Sequence, residues 1–342
     1  MTLNKHHPLY QEDLSTILSV KGIEKLKGKS ILITGATGLI GVHMIDALMK
    51  FDGVKIYAVG RNMEKAEERL GEYFDNPHFV FLEQDVCTPF PQDLKVDYII
   101  PGASNTHPLA YSQYPIETII INVKGAEHAL ELACKCKASV LYPSTVEVYG
   151  NAYENDVFTE DYTGKLNLSN SRSCYTESKR VCEAMCQSYI SEKGVNVKIV
   201  RLSRLFGPTM LESDSKASSQ FIRKALANED IILKSKGDQV FSYTYVTDAV
   251  AAMLHILING EVGLPYNISN EKCDVHLRDF AKCCAKSVGK DVVFELPSEI
   301  EQKGFSIATK AILSNKRLVD NGFTPLYSIE NSIRRTIAIL QD

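Results

Sequence analysis

The segment KSILITGATGLIGVHMIDALMK, residues 29–50, leaves a chain few folds to adopt. It opens with a continuous apolar run, turns through glycines, and continues with apolar residues at helical spacing. Gly35, Gly38 and Gly41 form G-x-x-G-x-x-G in that turn. Glycine permits the tight turn and a close approach of backbone to ligand, and the helix that follows offers unpaired N–H groups to a pyrophosphate. Glycines also close ordinary strand-to-helix turns. What makes the signal specific is its position after KSILI, about 20 residues before the end of the next apolar strand.

That next strand is VKIYAVG (54–60), followed by a charged helical stretch, NMEKAEERLGEYF (62–74). HFVFLEQDV (78–86), VDYIIPGAS (96–104), ASVLYPST (138–145) and VNVKIVRLS (195–203) are further apolar runs with helical patterns between most of them. Strands alternating with helices predict an α/β fold of Rossmann type, a doubly wound parallel sheet with helices on both faces. Residues 11–27 predict a short amphipathic helix, so 1–28 reads as an N-terminal helical extension and 29–203 as an NAD(P)-binding domain. Beyond about residue 204 the pattern loosens into polar, loop-rich sequence with short elements. A smaller α/β substrate-binding lobe over 204–342 is expected, interleaved with the first domain because 240–270 returns to it, GLPYNIS (263–269) as one more strand.

Composition excludes several classes. A hydrophobic content of 44% and a charged content of 23% are those of a globular protein. The net charge of −4 argues against a nucleic-acid binder. The N-terminus has no apolar signal core, and no segment has the ~18 uncharged apolar residues that a membrane span needs, so a cytoplasmic location is expected. The nine cysteines form no CxxC pair and lack histidine partners, which reads as reduced thiols and no metal site.

At the end of the second strand, where an acid usually holds the ribose hydroxyls of NAD, stand Gly60, Arg61 and Asn62. Arginine there suits a 2′-phosphate, so charge favours NADP, with NAD the alternative if Arg61 only stacks on adenine or points to solvent. Asp85, ending the third strand, is placed either to meet the adenine amino group or to cap a helix. Tyr175 and Lys179, in SRSCYTESKR (171–180), are four apart and share one helix face. A tyrosine, with its pKa near ~10, is a poor base at neutral pH unless positive charge lowers it. The nearby ammonium, together with the nicotinamide's charge, is expected to do so. Lysine could also bind the nicotinamide ribose.

Gly35–Gly41, Thr145, Tyr175 and Lys179 together resemble the extended short-chain dehydrogenase/reductases, the NAD(P)-dependent nucleotide-sugar epimerases and dehydratases. INVKGAEHALELA (121–133), RLSRLFGP (201–208) and YVTDAV (245–250) extend the likeness, which runs from about Lys29 through Asp248. Within that family, STVEVYG (144–150), EDYTG (160–164), SRSCYTESKR and the 103–122 segment are most similar to the UDP-glucuronate decarboxylase group.

The resemblance implies Tyr175 as base at a sugar hydroxyl, Thr145 bonded to the same oxygen, and Glu147 as acid or base for a second step on a 4-keto sugar. It implies cofactor contacts from Thr37, Leu39 and Ile40 in the glycine turn, from Arg61, Asn62, Asp85 and Val86, and from Ala103, Ser104 and Asn122, besides Tyr175 and Lys179. Asn105 is an implied substrate contact, and Arg172, Arg204 and Arg223 are the cations that could pair with the substrate's phosphate. Where 4,6-dehydratases carry an Asp-Glu pair, this chain has Val146 before Glu147, and valine has no proton to donate. Three positions depart from the decarboxylase pattern: Phe241 replaces an arginine, Arg204 an asparagine and Thr209 an arginine.

The expected activity is therefore modification of a nucleotide sugar through a 4-keto intermediate, leaning to decarboxylation. Epimerisation, 4,6-dehydration and NADPH-dependent keto-sugar reduction are the alternatives, and a non-catalytic NAD(P)-binding sensor is the alternative from another class. A homodimer formed through the 121–136 and 175–189 helices is the family expectation.

Overall fold

The computed structural model describes residues 2–106, 108–150, 157–295 and 309–341. The apolar runs become strands covered on both faces. β1 (Ser30–Thr34), β2 (Lys55–Gly60), β3 (Phe79–Glu83), β4 (Tyr98–Pro101), β5 (Ser139–Thr145), β6 (Val197–Leu202) and β10 (Pro265–Ile268) form a seven-stranded sheet in the order β10-β6-β5-β4-β1-β2-β3. Every neighbouring pair in it is parallel.

Alternate residues of each strand serve opposite layers. Ile31 and Ile33 pack with Val42, Ile45 and Leu48 of α2 (Leu39–Leu48) and with Ala249, Ala252 and Ile256 of α8 (Val246–Asn259). Leu32, Val140 and Tyr142 face the other way, onto Ala126, Ala129 and Leu130 of α5 (Pro115–Cys136) and Cys182 and Cys186 of α6 (Ser173–Lys193). Strand order reverses between β1 and β4, and a crevice opens beyond the carboxyl ends of the strands at such a point.

The N-terminal helix lies earlier than its sequence pattern suggests. α1 is Pro8–Leu18, with proline at its first turn and His7 Nδ1 accepting from the Leu9 amide at 3.1 Å. It ends at Ser19, and Gly22, at φ 88°, turns the chain into a separate 3₁₀ turn, Ile23–Leu26. The segment is built into the core. Tyr10 donates to Asp46 of α2 at 2.6 Å, while buried Asp13 accepts from Tyr245 and from Arg335 of the C-terminal helix Ile329–Gln341.

The lobe holds a second sheet of β7 (Arg204–Phe206), β9 (Val240–Tyr245), β11 (Asp274–His276) and β13 (Lys310–Ala311). β8 (Ile231–Leu233) pairs with β12 (Val292–Phe294), and α7 (Ala217–Leu226) and α9 (Leu277–Ser287) complete the lobe. The 240–270 segment divides between the layers. β9 is claimed by the second sheet, whereas α8 packs back on β5 and β6 and β10 pairs with β6. On the outer surface α5 exposes Ile116 (77%), Ile119 and Ile120, beside Val181 of α6.

His43 of α2 is buried, with the Tyr10 ring edge-on at 5.3 Å and Nε2 bonded to Thr247 Oγ1 at 3.0 Å. Burial lowers its pKa from 6.5 to about 3. A folded-state pKa below the unfolded one stabilises the fold above pH 6.5, and this contribution is lost as pH falls from there towards 3. Urea unfolding across this window should show a His43→Gln variant losing stability less steeply than the wild type, by up to about 1.4 kcal/mol per pH unit. Parallel slopes would mean that His43 is not the group responsible.

Candidate active site

A cavity of about 1090 Å³ lies between the carboxyl ends of the parallel strands and the lobe. Its floor is the turn from β1 into α2. Gly35 has φ 69°, and a Cβ there would stand 2.8 Å from the Gly102 carbonyl oxygen. A Cβ on Gly41 would meet the Ala36 oxygen at 2.5 Å, so both positions exclude a side chain. Gly38 is the N-cap of α2 and has no side chain to satisfy the first-turn N–H groups, which stay available to an anion. Thr37, Leu39 and Ile40 line the same floor. This cradle fits a dinucleotide's pyrophosphate, and the buried Ser104 and Ser144 hydroxyls, unpaired within the described protein, line the cavity where further polar partners are wanted.

At the β2 end, Arg61 lies between two acids, its Nη1 3.2 Å from Glu117 and 3.8 Å from Asp85. The Asp85 carboxylate accepts from the Cys87 amide at 2.8 Å, and that bond leads in holding its pKa below the ordinary value. Arg61, Asp85, Val86, Ala103 and Asn105 all line the cavity. Asn62 and Asn122 stand off its wall. Asn62 caps α3 (Met63–Leu70), accepting from the Lys65 amide at 2.7 Å. Asn122 is buried and donates to Ser178 Oγ at 2.9 Å, which joins α5 to α6.

Tyr175, Lys179, Thr145 and Glu147 share one wall. Thr145 ends β5, and its hydroxyl caps the 3₁₀ turn Val146–Tyr149 by accepting from the Glu147 amide at 3.3 Å. Lys179 reaches across from α6 to donate to the Pro143 carbonyl at 2.8 Å, with Nζ 5.0 Å from the Tyr142 ring centre.

Tyr175 is only 9% exposed, and its phenol departs from the sequence expectation. Burial pushes its pKa up, a hydrogen bond with Thr145 pulls it back, and Glu147 and Tyr111 push it up again. The Lys179 ammonium is turned to a carbonyl, and burial pulls its own pKa down. Further lowering of the phenol would fall to the positive charge of a bound cofactor.

Arg204 and Arg223 of the lobe also line the cavity, as does Arg172 at the start of α6. Arg172 donates to Tyr111 Oη at 3.3 Å, and the Tyr111 ring stacks on that of Tyr175 at 5.4 Å. Thr209 is out of the cavity, buried, with its hydroxyl donating to the Leu39 carbonyl at 2.7 Å. The acidic EDYTG segment is structural. Glu160 accepts from the Asn267 amide at 2.9 Å, and Asp161 pairs with Arg317 at 3.3 Å.

Sequence reasoning passed over Tyr111, Ser144, Lys65 and Gln239, all on the cavity wall. Ser144 was discoverable as the partner of Thr145 at the same strand end. No spacing signals the other three.

A parallel sheet with a glycine cradle at its switch point and a Tyr–Lys pair on its rim defines a dinucleotide-dependent enzyme of the short-chain dehydrogenase type. The chain belongs to the NAD dependent epimerase/dehydratase family, whose model matches residues 31–269. UDP-glucuronic acid decarboxylase 1 of Xenopus tropicalis is 31% identical over 318 residues, 93% of this chain and 73% of that protein. UDP-glucuronic acid decarboxylase 6 of Arabidopsis thaliana is 33% identical over 240 residues, 70% of this chain and 69% of that one. The crystal structure of UDP-glucuronic acid 4-epimerase from Bacillus cereus with UDP-glucuronic acid and NAD shares the fold. Its TM-score is 0.77 at 19% identity, covering 91% of this chain and 98% of that one.

The reacting wall is braced from behind by Arg201 of β6. Its guanidinium donates to Glu183 of α6 at 2.7 Å, to the Glu160 carbonyl at 2.7 Å and to Tyr149 Oη at 3.1 Å. Arg201→Met should lower unfolding free energy in urea by about 3 kcal/mol, because Glu183 would be left half-buried and unpaired. A loss under about 0.5 kcal/mol would show that the network is not what holds α6 to β6.

Proposed function

We propose that this chain modifies a UDP-sugar by decarboxylation of its glucuronate unit through a 4-keto intermediate, with NAD as cofactor. The observation that carries the reading is the pairing at the rim. Glu147 stands beside Thr145 and Tyr175, and Val146, 7% exposed, occupies the position where a second proton donor would be needed to eliminate water. The family and the decarboxylase relatives support it.

NAD, held by the glycine cradle and by the cavity's second-strand end, would supply hydride acceptance from sugar C4 and its later return. Tyr175 takes the O4 proton, and Thr145 holds the same oxygen. Lys179 keeps α6 against β5 through the Pro143 carbonyl and would add positive charge to the cofactor side of the site. With a carbonyl at C4, the C5–C6 bond breaks and its electrons move onto the C4 oxygen as CO2 leaves. Glu147 passes to C5 a proton taken up from water, the one proton that loss of CO2 from a carboxylate consumes.

Arg61's two carboxylate neighbours disfavour a 2′-phosphate, which supports NAD over NADP. The exposed Ile116, Ile119, Ile120 and Val181 fit a second copy of the same face, and so support a homodimer.

Mass spectrometry of products from UDP-glucuronate, run with NAD and NADP in parallel, tests the reading. Conversion to a UDP-pentose is expected, with NAD binding at least about tenfold more tightly. Tyr175→Phe should lower kcat roughly 10²–10⁴-fold, and Glu147→Gln should slow CO2 release by about 10²-fold. An unchanged sugar mass, or the mass of a dehydrated product, would refute decarboxylation. Sedimentation should give twice the chain mass, and Ile116→Glu with Ile120→Glu should give the monomer. A wild-type monomer at micromolar concentration would remove the dimer.

A further inference from the structure

The lobe wall of the cavity contains a cation without an acidic partner among the described residues. Arg204 of β7 lies flat on Phe241 of β9, with its Cζ only 3.7 Å from the ring centre. The two strands pair in parallel, Arg204 opposite Tyr243, and Phe241 is two residues earlier on the same face of β9. Phe241 is 4% exposed, so one face of the guanidinium is sealed against water. The Arg204 Nε is buried without a hydrogen-bond partner, and no carboxylate of the described residues forms an ion pair with this side chain.

Its neighbours are treated differently. Lys216 pairs with Asp214 at 3.2 Å, and Lys224 pairs with Glu229. These two lobe lysines have acidic partners, and Arg204 has none among the described residues. Desolvating a guanidinium face without a counter-charge is costly, and the cost is recovered only when an anion arrives. Stacking also fixes the plane of the fork, so the N–H edges not against the ring present a preset, two-pronged donor set.

We propose that the Arg204–Phe241 stack is the specificity element of this cavity, a planar receptor for an oxyanion of the substrate, a sugar carboxylate or a phosphoryl group. The inference rests on the reading of the cavity as a nucleotide-sugar site. Its place favours the carboxylate. Burial raises the phenol of Tyr111, the ring stacked on Tyr175, and Arg204 is among the charges opposing that rise, so its charge is felt at the Tyr175 end of the cavity. Arg223, with one amino group donating to the Asp214 carbonyl at 2.8 Å and its Nη1 unpaired, is the other arginine of this wall left for the diphosphate.

Calorimetric titration of the NAD-loaded protein with UDP-glucuronate, UDP-glucose, UDP and uridine tests this. Arg204→Gln should weaken UDP-glucuronate binding roughly 30-fold or more. If the anion is the carboxylate, UDP-glucose and UDP change by less than about threefold. If it is phosphoryl, all three weaken together and only uridine is unaffected. Phe241→Leu should weaken the same ligands by a smaller factor. The double variant should then lose less than the product of the two single losses, because the stack acts as one unit. Arg204→Lys should recover part of the affinity but not the bidentate share.

Equal binding of all four ligands by wild type and Arg204→Gln would overturn the proposal, and so would a loss that extends to uridine. Melting curves without ligand check the fold, and if Arg204→Gln does not fold, Arg204→Lys and Phe241→Leu carry the test. Failure of the wild type to release CO2 would sink the decarboxylase reading while leaving the binding result to decide the role of Arg204.

Discussion

A lysine ammonium inside the protein, bonded to a single backbone carbonyl, sets the geometry of the reacting wall. Lys179 donates to the oxygen of Pro143, two residues before Thr145 on the same strand. Because Lys179 and Tyr175 are one helical turn apart, fixing the lysine on β5 also fixes the phenol over the end of that strand. The bond therefore does two things. It repays part of the cost of burying a charge, and it turns an arrangement between two separate elements into a defined one. Arg201 repeats the device on the far side, joining β6 to α6 through Glu183 and to the turn after β5 through Tyr149. The wall owes its rigidity to polar bonds placed in an apolar frame.

The frame was the most legible part of the sequence. Strands covered on both faces must be apolar throughout, so KSILI, VKIYAVG and VNVKIVRLS announce a parallel sheet without further information. Gly35 and Gly41 were legible for a comparable reason, since each occupies space in which a Cβ would collide with backbone. Tyr175 and Lys179 could be read because their spacing survives folding as shared helix face. The lobe could not. Its strands are two to six residues long, too short for a period to show, and they pair across large separations, as Lys310 does with Val240. The helical pattern over residues 11–27 misled because Gly22 and the capped start at Pro8 shift and split it.

Side-chain roles that depend on orientation were also beyond sequence. Nothing in the position of Asn62 separates a ribose contact from a helix cap, and its bond to the Lys65 amide shows the capping. Arg61 after a second strand suggests a 2′-phosphate until Asp85 and Glu117, far apart in sequence, are seen flanking it. The phenol of Tyr175 shows the same dependence on context. Spacing puts an ammonium near it, but burial governs the direction of its pKa as long as that ammonium is turned towards Pro143. Proximity of charge and effect of charge are different quantities once both groups leave water.

The cavity's charges are unevenly spread. At the β2 end Asp85 and Glu117 flank Arg61, with Lys65 also on the wall, whereas the lobe presents Arg204 and Arg223 to the same volume and the start of α6 presents Arg172. Field lines concentrate in a cleft with low-dielectric walls, so a polyanionic ligand is drawn to the lobe side before any contact is made. The Glu147 carboxylate lines the same cavity and adds to burial in raising the phenols of both Tyr111 and Tyr175. An acid there opposes ionisation of the phenol beside it. A cationic cofactor ring would offset this acid, whereas an anion held at the arginines would take up the positive charge that opposes it at Tyr111. A cation and an anion in the cavity thus shift this wall in opposite senses, and only the cation favours ionisation of the phenol.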